Sequence, residues 1–286
     1  MTALQMEKTG KAPVDPTPWA LENLPPFPTV ATRLLSVLSK EDVDTREVAQ
    51  IVSAEPVFAT RVLQMANSPL FSIQQQVKAI PHAIVLLGLA RVRAITVTRA
   101  MGDFVAPAIN LKILRTCWQN SLAGAILAEK LARSCRMDAD FAYVAALVRD
   151  IGRLALIMKY PEPFGNLLAV SSEQHYDLTA TERELFDVDH CEAGAWLINR
   201  MPLPEELGEV VAHHHNAPLA GPFRMVHLVR IADRLADSLG FEVLTPVEPL
   251  VYDDVVKEFT EASGAQFGHD PEQLKTEIGE KFQAWA

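Results

Sequence analysis

Cysteine is nearly absent: Cys117, Cys135 and Cys191 are the three in 286 residues. They form no CxxC pair and leave an odd count, which argues against a disulfide framework or a cysteine zinc site and suits a reducing interior. Glycine is also scarce, at 13, and no stretch sustains apolar/polar alternation, so a β-sandwich or barrel is not expected. Long apolar runs are missing too. The densest, Ala83 to Ala90, stops at Arg91 and Arg93, short of the roughly 20 residues a membrane span needs. The opening stretch, Met1 to Trp19, has lysines and prolines but no apolar segment, unlike a secretory signal. These absences predict a soluble, cytoplasmic protein with no membrane partner. Positive charge is in deficit as well, with 26 Lys and Arg against 36 Asp and Glu, for a net −10. A nucleic-acid partner is therefore not expected, because duplex affinity is mostly counterion release by Lys and Arg.

What remains is a globular composition, 49% apolar and 22% charged, in a chain about twice the usual domain length. The apolar residues recur at helical spacing. Val30, Leu34, Leu35 and Leu38 form one stripe, and Asp44 with Glu47 marks a cap before Val48, Ile51 and Val52. Pro56 can open the next helix, ending near Asn67-Ser68-Pro69, and Gly88 punctuates two helical pieces between Ile80 and Met101. Further helices are predicted over 112–133, 138–158, 181–200, 204–215 and 222–239. A last one, over 270–284, has Asp270 as cap and Leu274, Ile278 and Phe282 facing the body. The fold class is all-α. Residues 1–23 read as a tail, 24–106 as an N-terminal helical lobe and 107–286 as a second helical lobe ending in a C-terminal helix. The charge divides unevenly: +2 over residues 24–106 and −11 over 107–286.

The second lobe also gathers potential ligands. Asp150, His190, the run His213-His214-His215 and Asp233 stand in otherwise apolar helical segments, where a bare carboxylate is costly without a partner. Imidazole and carboxylate together suit Zn, Mn, Fe or Ni. Adjacent helix positions differ by about 100°, so at most two of the three consecutive histidines can face one centre.

At this point the chain resembles the HDOD group, a branch of the HD-domain metal-dependent phosphohydrolase superfamily found in bacterial signal transduction. In the first lobe the resemblance lies in Leu24-Pro25-Pro26-Phe27-Pro28, Glu55-Pro56-Val57, Leu63 to Ser68 and Ala79 to Gly88. In the second it lies in Trp118-Gln119-Asn120-Ser121, Val148-Arg149-Asp150-Ile151-Gly152, Asp189 to Gly194, Leu203-Pro204-Glu205-Glu206 and His214-His215-Asn216. It spans about residues 22 to 240 and implies a two-lobed helical HDOD fold with an HD-like second lobe. An active HD hydrolase has a histidine, a His-Asp doublet and a final aspartate. The resemblance puts these positions at Asn120, Arg149-Asp150 and Asp233, so two of the four are replaced. The further histidines of two-metal relatives fall on His190, His214 and His215.

Two readings follow from the resemblance. In one, a single divalent metal (Fe, Mn, Ni or Zn) is held by Asp150, His190, His214, His215 and Asp233. In the other no metal is held, and Arg149 lies against Asp150 or Asp233 with its charge in the cation's place. The first implied function is a non-catalytic signalling module with a degenerate metal site, acting on a protein partner and binding a nucleotide or metal. The alternative is a metal-dependent phosphohydrolase or phosphodiesterase acting on a nucleotide or cyclic dinucleotide. Outside this cluster the readings are plain. His82, His175, His227 and His269 are ordinary histidines, the cysteines pack as small apolar residues, and Arg91, Arg93 and Arg99 form a solvated helix face or, alternatively, meet an anionic partner or the acidic second lobe.

Overall fold

The computed structural model describes residues 17–40, 42–67, 76–215, 221–244 and 248–285. These residues form helices and no strand. The first lobe holds α1 (Thr29–Leu38), α2 (Thr45–Ala54), α3 (Pro56–Ala66), α4 (Ile80–Leu87) and α5 (Leu89–Val105). The Asp44 carboxylate caps α2 by accepting from Arg46 N at 2.8 Å, and Pro56 opens α3, where its missing N–H costs nothing. Gly88 has φ +80°, a conformation glycine adopts without steric penalty, and there α4 and α5 turn through 107°. Asn67 closes α3. Its Nδ2 donates to Leu63 O and Val77 O, and Val77 N donates back to its Oδ1 at 2.7 Å. Ser68 and Pro69 of that motif lie outside the described residues.

The second lobe follows with α6 (Lys112–Ser134), α7 (Ala139–Val148), α8 (Ile151–Lys159), α9 (Pro161–Gln174), α10 (Leu178–Phe186), α11 (His190–Ile198), α12 (Glu206–His213) and α13 (Met225–Ala236). Then come α14 (Tyr252–Ser263) and α15 (Pro271–Trp285). Helix α6 is the axis of this lobe, buried along most of its length and packed by α7, α8, α13 and α15. Two hydrophobic clusters result. One, with Leu34, Leu38, Val52, Val62 and Ile84, belongs to the first lobe; the other surrounds α6. Helix α5 serves both: Val92, Ile95 and Ala100 face the first, and Ala94, Val97, Met101 and Phe104 face the second. Among the described residues no single helix is long and apolar enough to cross a membrane.

Several elements differ from the sequence reading. The span 138–158 is not one helix but α7 and α8, broken at Arg149-Asp150. The span 181–200 is likewise two helices, α10 and α11, separated where Asp187 takes φ +58°. Helices α9 and α14 were not anticipated. The end of the tail is also put to use: Trp19–Leu21 make a 3-10 turn that buries Ala20 and Leu21 against the second lobe. Trp19 Nε1 donates to Asp187 Oδ2 at 2.8 Å, and Lys159 Nζ donates to Trp19 O at 3.1 Å. Nor do the α5 arginines form a solvated face. Arg91 bridges to Glu129 at 2.7 Å and Asp140 at 2.9 Å across the lobe boundary, Arg93 donates to Leu38 O, and Arg99 pairs with Asp103.

Candidate functional site

The break between α7 and α8 positions the centre of the site. Arg149, at 0% exposure, turns its guanidinium inward under α6. Nη1 donates to Ala146 O at 2.8 Å, Nη2 donates to Asn120 Oδ1 and Asp233 Oδ1, and Nε stands 3.2 Å from Asp150 Oδ2. The room for it comes from Gly124, one turn after Asn120: a Cβ there would lie 2.6 Å from Nη1. Asp233 and Asp237 are also one turn apart and share a face of the chain leaving α13. Asn120 Nδ2 donates to Asp237 Oδ1 at 3.2 Å and Phe241 O at 2.9 Å. Burial, and then the neighbouring Asp233, pushes the Asp237 carboxyl up to about 8.

A second buried guanidinium lies one turn along α8. Arg153 sends Nη1 to within 3.3 Å of Asp150 Oδ1, and its Nη2 lies 3.1 Å from His190 Nε2 and 3.4 Å from His215 Nε2. Burial would raise the Asp150 pKa, but Arg153 and then Arg149 hold it well below the usual carboxylate range. The carboxylate is therefore ionised between two fixed cations.

His190 begins α11, where Asp189 and Glu192 form a reciprocal cap: Asp189 Oδ1 accepts from Glu192 N at 2.8 Å, and Glu192 Oε2 accepts from Asp189 N at 3.0 Å. The cap fixes where the helix starts. The approach of α8 to α11 is set by Gly152 and Gly194, since a Cβ on Gly152 would fall 2.1 Å from His190 O and 2.4 Å from Gly194 N. From α10 the buried Glu182 Oε2 accepts from His190 N at 2.8 Å and lies 2.5 Å from His190 Nδ1. Burial pushes the Glu182 carboxyl up to about 7. When ionised it accepts a hydrogen bond from Nδ1–H, which leaves Nε2 of His190 as the lone-pair nitrogen of the neutral ring. His190 itself is driven well below the ordinary imidazole range by burial and then by Arg153.

His214 and His215 complete the group at the end of α12, their ring centroids 5.7 and 4.9 Å from that of His190, so two of the three consecutive histidines face the centre. Nε2 of His215 lies 2.8 Å from Nε2 of His190. His214 Nδ1 donates to Val211 O at 3.0 Å, which turns its Nε2 the other way. That nitrogen faces Asp150 Oδ1 at 3.5 Å, and both atoms are buried without a hydrogen-bond partner. Cys191 Sγ joins the three imidazoles as a fourth atom of metal-binding type, all within 4.8 Å of one another, but burial first and then Asp189 push its thiol pKa strongly up. It stays a protonated, inert thiol beside His214.

The five residues singled out as metal ligands thus divide. Asp150, His190, His214 and His215 converge, whereas Asp233 is turned to Arg149 on the far side of Asp150. A transition metal that this kind of centre implies meets a suitable donor set on the imidazole side, where Asp150 Oδ1 and His214 Nε2 are buried without a hydrogen-bond partner. Arg153 competes for the same nitrogens. On the Arg149 side the donor set does not fit a metal, because a guanidinium holds the oxygens and cannot give up its proton. A cavity of about 350 Å3 opens onto the cluster, its wall including Asn120, Arg153, Asp177, His215, Asp233 and Asp237.

Arg153, Glu182 and Asp237 were not among the residues picked from the sequence. Arg153 had a signal: it lies one turn from Arg149 in a segment where Ile151, Leu154, Ala155, Leu156 and Ile157 are all buried. Asp237 had the same one-turn relation to Asp233. Glu182 had none, because its partner lies across a helix break.

Comparison with known proteins places the geometry in context. The model of the HDOD domain family matches residues 24–217. An uncharacterized protein of Treponema pallidum (strain Nichols) is 22% identical over 202 residues, which cover 70% of this chain and 39% of that relative. Among solved structures, an HDOD domain protein of unknown function from Geobacter sulfurreducens is 27% identical with TM-score 0.66, covering 92% of this chain and 91% of that one. A candidate phosphohydrolase from Shewanella amazonensis SB2B shares the fold at 22% identity and TM-score 0.68, covering 92% and 94%. A candidate signal transduction protein from Marinobacter aquaeolei VT8 does so at 21% and 0.60, covering 93% of this chain and 58% of that one.

Proposed function

Since the chain belongs to the HDOD domain family, we propose that it is a non-catalytic regulatory module of bacterial signal transduction. It acts through a protein partner, and the remnant of a metal centre in its second lobe is a site for a nucleotide or metal. The observation that supports this reading is Arg149: its guanidinium lies among Asn120, Asp150 and Asp233. A hydrolase of this type needs a metal ion to lower the pKa of a water and to hold it for attack. A guanidinium balances the carboxylates but supplies neither an open coordination position nor an acidified water. Fold alone does not assign activity; the residues at the site argue against one.

A second reading keeps a metal-dependent phosphohydrolase or phosphodiesterase acting on a nucleotide or cyclic dinucleotide. It is favoured by Asp150 Oδ1 and His214 Nε2, which face each other at 3.5 Å, buried and without a hydrogen-bond partner. Asp150, His190, His214 and His215 would hold the ion, which would supply a Lewis acid. Elemental analysis of untagged protein separates the metal states: a content under about 0.1 ion per chain is expected for a metal-free centre, and near-stoichiometric Fe, Mn, Ni or Zn excludes it. A panel of nucleotides and cyclic dinucleotides with added Mn²⁺, Fe²⁺ or Ni²⁺ then tests catalysis. Silence is expected, and turnover that Asp150→Ala abolishes overturns the non-catalytic reading.

A further inference from the structure

A separate cavity of about 240 Å3 lies between the lobes, away from the polar centre. Its lining comes from five helices, with Arg61 and Met65 on α3, Arg91 and Ala94 on α5, Glu129 on α6, Tyr143 on α7 and Lys281 on α15. The floor is apolar, and Ala94, Ile95 and Ile126 are buried. Its two hydroxyls are already used. Thr98 Oγ1 donates to Ala94 O at 2.8 Å and lies 3.1 Å from the Tyr143 hydroxyl, which burial keeps neutral by pushing its pKa up to about 12. The floor thus gives water few of the two to four partners that a buried water needs.

The rim is of opposite character. Arg61, Arg91 and Lys281 stand around the opening against one carboxylate, Glu129. That carboxylate is shared by Arg91 and Arg133. Lys281 makes no hydrogen bond or ion pair among the described residues, and it is exposed at the opening. An acidic group at the rim would find its ammonium unpaired. The volume is below the roughly 300–1,000 Å3 of drug-sized sites, so the occupant is small.

The geometry points to a ligand site for a small organic acid, an apolar or aromatic body in the floor with one carboxylate at the cationic rim. Arginine suits such a ligand doubly, by pairing with carboxylates and by stacking on rings. Because the lining joins α3, α5, α6, α7 and α15, occupancy ties the two lobes and the C-terminal helix together. The effector would then act on the relation between lobes and not on the polar centre.

Phenylacetate and its neutral isostere phenylacetamide are the probes, added to the full chain and followed by calorimetry and ligand-observed NMR. Saturable binding of phenylacetate with a Kd of about 1 mM or tighter is expected, with the amide at least about tenfold weaker. Lys281→Met should weaken phenylacetate about fivefold or more while leaving the amide unchanged. Ala94→Leu, which fills the floor, should abolish both. Equal binding of acid and amide, binding that survives Ala94→Leu in a folded variant, or no saturation by about 10 mM phenylacetate overturns the proposal. Should Ala94→Leu fail to fold, Lys281→Met at the rim decides alone, and an unchanged phenylacetate affinity there rejects the site. Inorganic phosphate serves as a further arm: binding as tight as phenylacetate, displaced by it, shows a bare anion site and also overturns the assignment.

Discussion

Around Arg149, carboxylates, an amide oxygen and a main-chain carbonyl close on a cation that is part of the chain. Around His214, three imidazoles and one oxygen of Asp150 converge while two buried polar atoms, Asp150 Oδ1 and His214 Nε2, go without a hydrogen-bond partner. Asp150 belongs to both, with Oδ2 toward Arg149 and Oδ1 toward His190, His214 and Arg153. The first region carries a charge that cannot leave, so its geometry is independent of solvent ions. The second depends on what is supplied, whether a proton, a metal or the reach of Arg153. On the proposed reading the two halves differ in kind: one is closed by a side chain, while the other keeps donors suited to an ion.

The largest effect should come from breaking the closed half. Arg149→Met removes the cation from Asp150 and Asp233 and leaves buried carboxylates uncompensated. Loss of about 3–5 kcal/mol is expected, the range for a buried pair deprived of one partner, read by urea denaturation with unchanged m. Next is Gly124→Ala, which sets a methyl 2.6 Å from Arg149 Nη1. It should cost about 1–3 kcal/mol by overpacking, and little or nothing in the Arg149→Met background, where the longer reach of the guanidinium is gone. The open half should respond less. His214→Leu in metal-free protein removes an acceptor that has no partner there and one bond to Val211 O, so a change within about 1 kcal/mol is expected; a loss comparable to that of Arg149→Met would erase the contrast. A separate test concerns pH. Asp237 has its folded pKa raised to about 8 by burial and Asp233, so the folded state holds a proton that the unfolded state releases near 4. Its contribution is complete below that value and is lost as pH rises through about 8. Asp237→Asn should flatten that part of the stability profile, with equilibrium unfolding from pH 5 to 9 as the check.

Much of the fold was legible because its signals are local. Asp44, Pro56, Gly88, Asp270 and Pro271 each act on their own turn, and each stands where its chemistry requires. Helix α9 was hidden by its own opening: Pro161, Pro163 and Gly165 look like breakers, yet the first turn of a helix has N–H groups without partners, so proline is tolerated there. Helix α14 carried readable spacing, with Val255 and Phe259 both buried. The site was legible through Asn120, Arg149, Asp150, His190, His214 and His215, which recur in recognisable motifs. What local pattern could not carry was the direction of Arg153 and the burial of Glu182. Both depend on α8, α10 and α11 meeting, and that meeting is set by Gly152 and Gly194 in backbone contact.

The glycine beneath Arg149 has a consequence for descent. A histidine at 149 would be shorter than the arginine and would leave empty volume over Gly124, while Asn120 would still lack a lone-pair nitrogen. A larger residue at 124 is tolerable only after the guanidinium has gone. On the proposed reading, in which arginine stands in the ion's place, a complete metal centre would need changes at both 120 and 149, and losing Arg149 first would empty the space over Gly124. Arginine in that place acts, in that sense, as a ratchet.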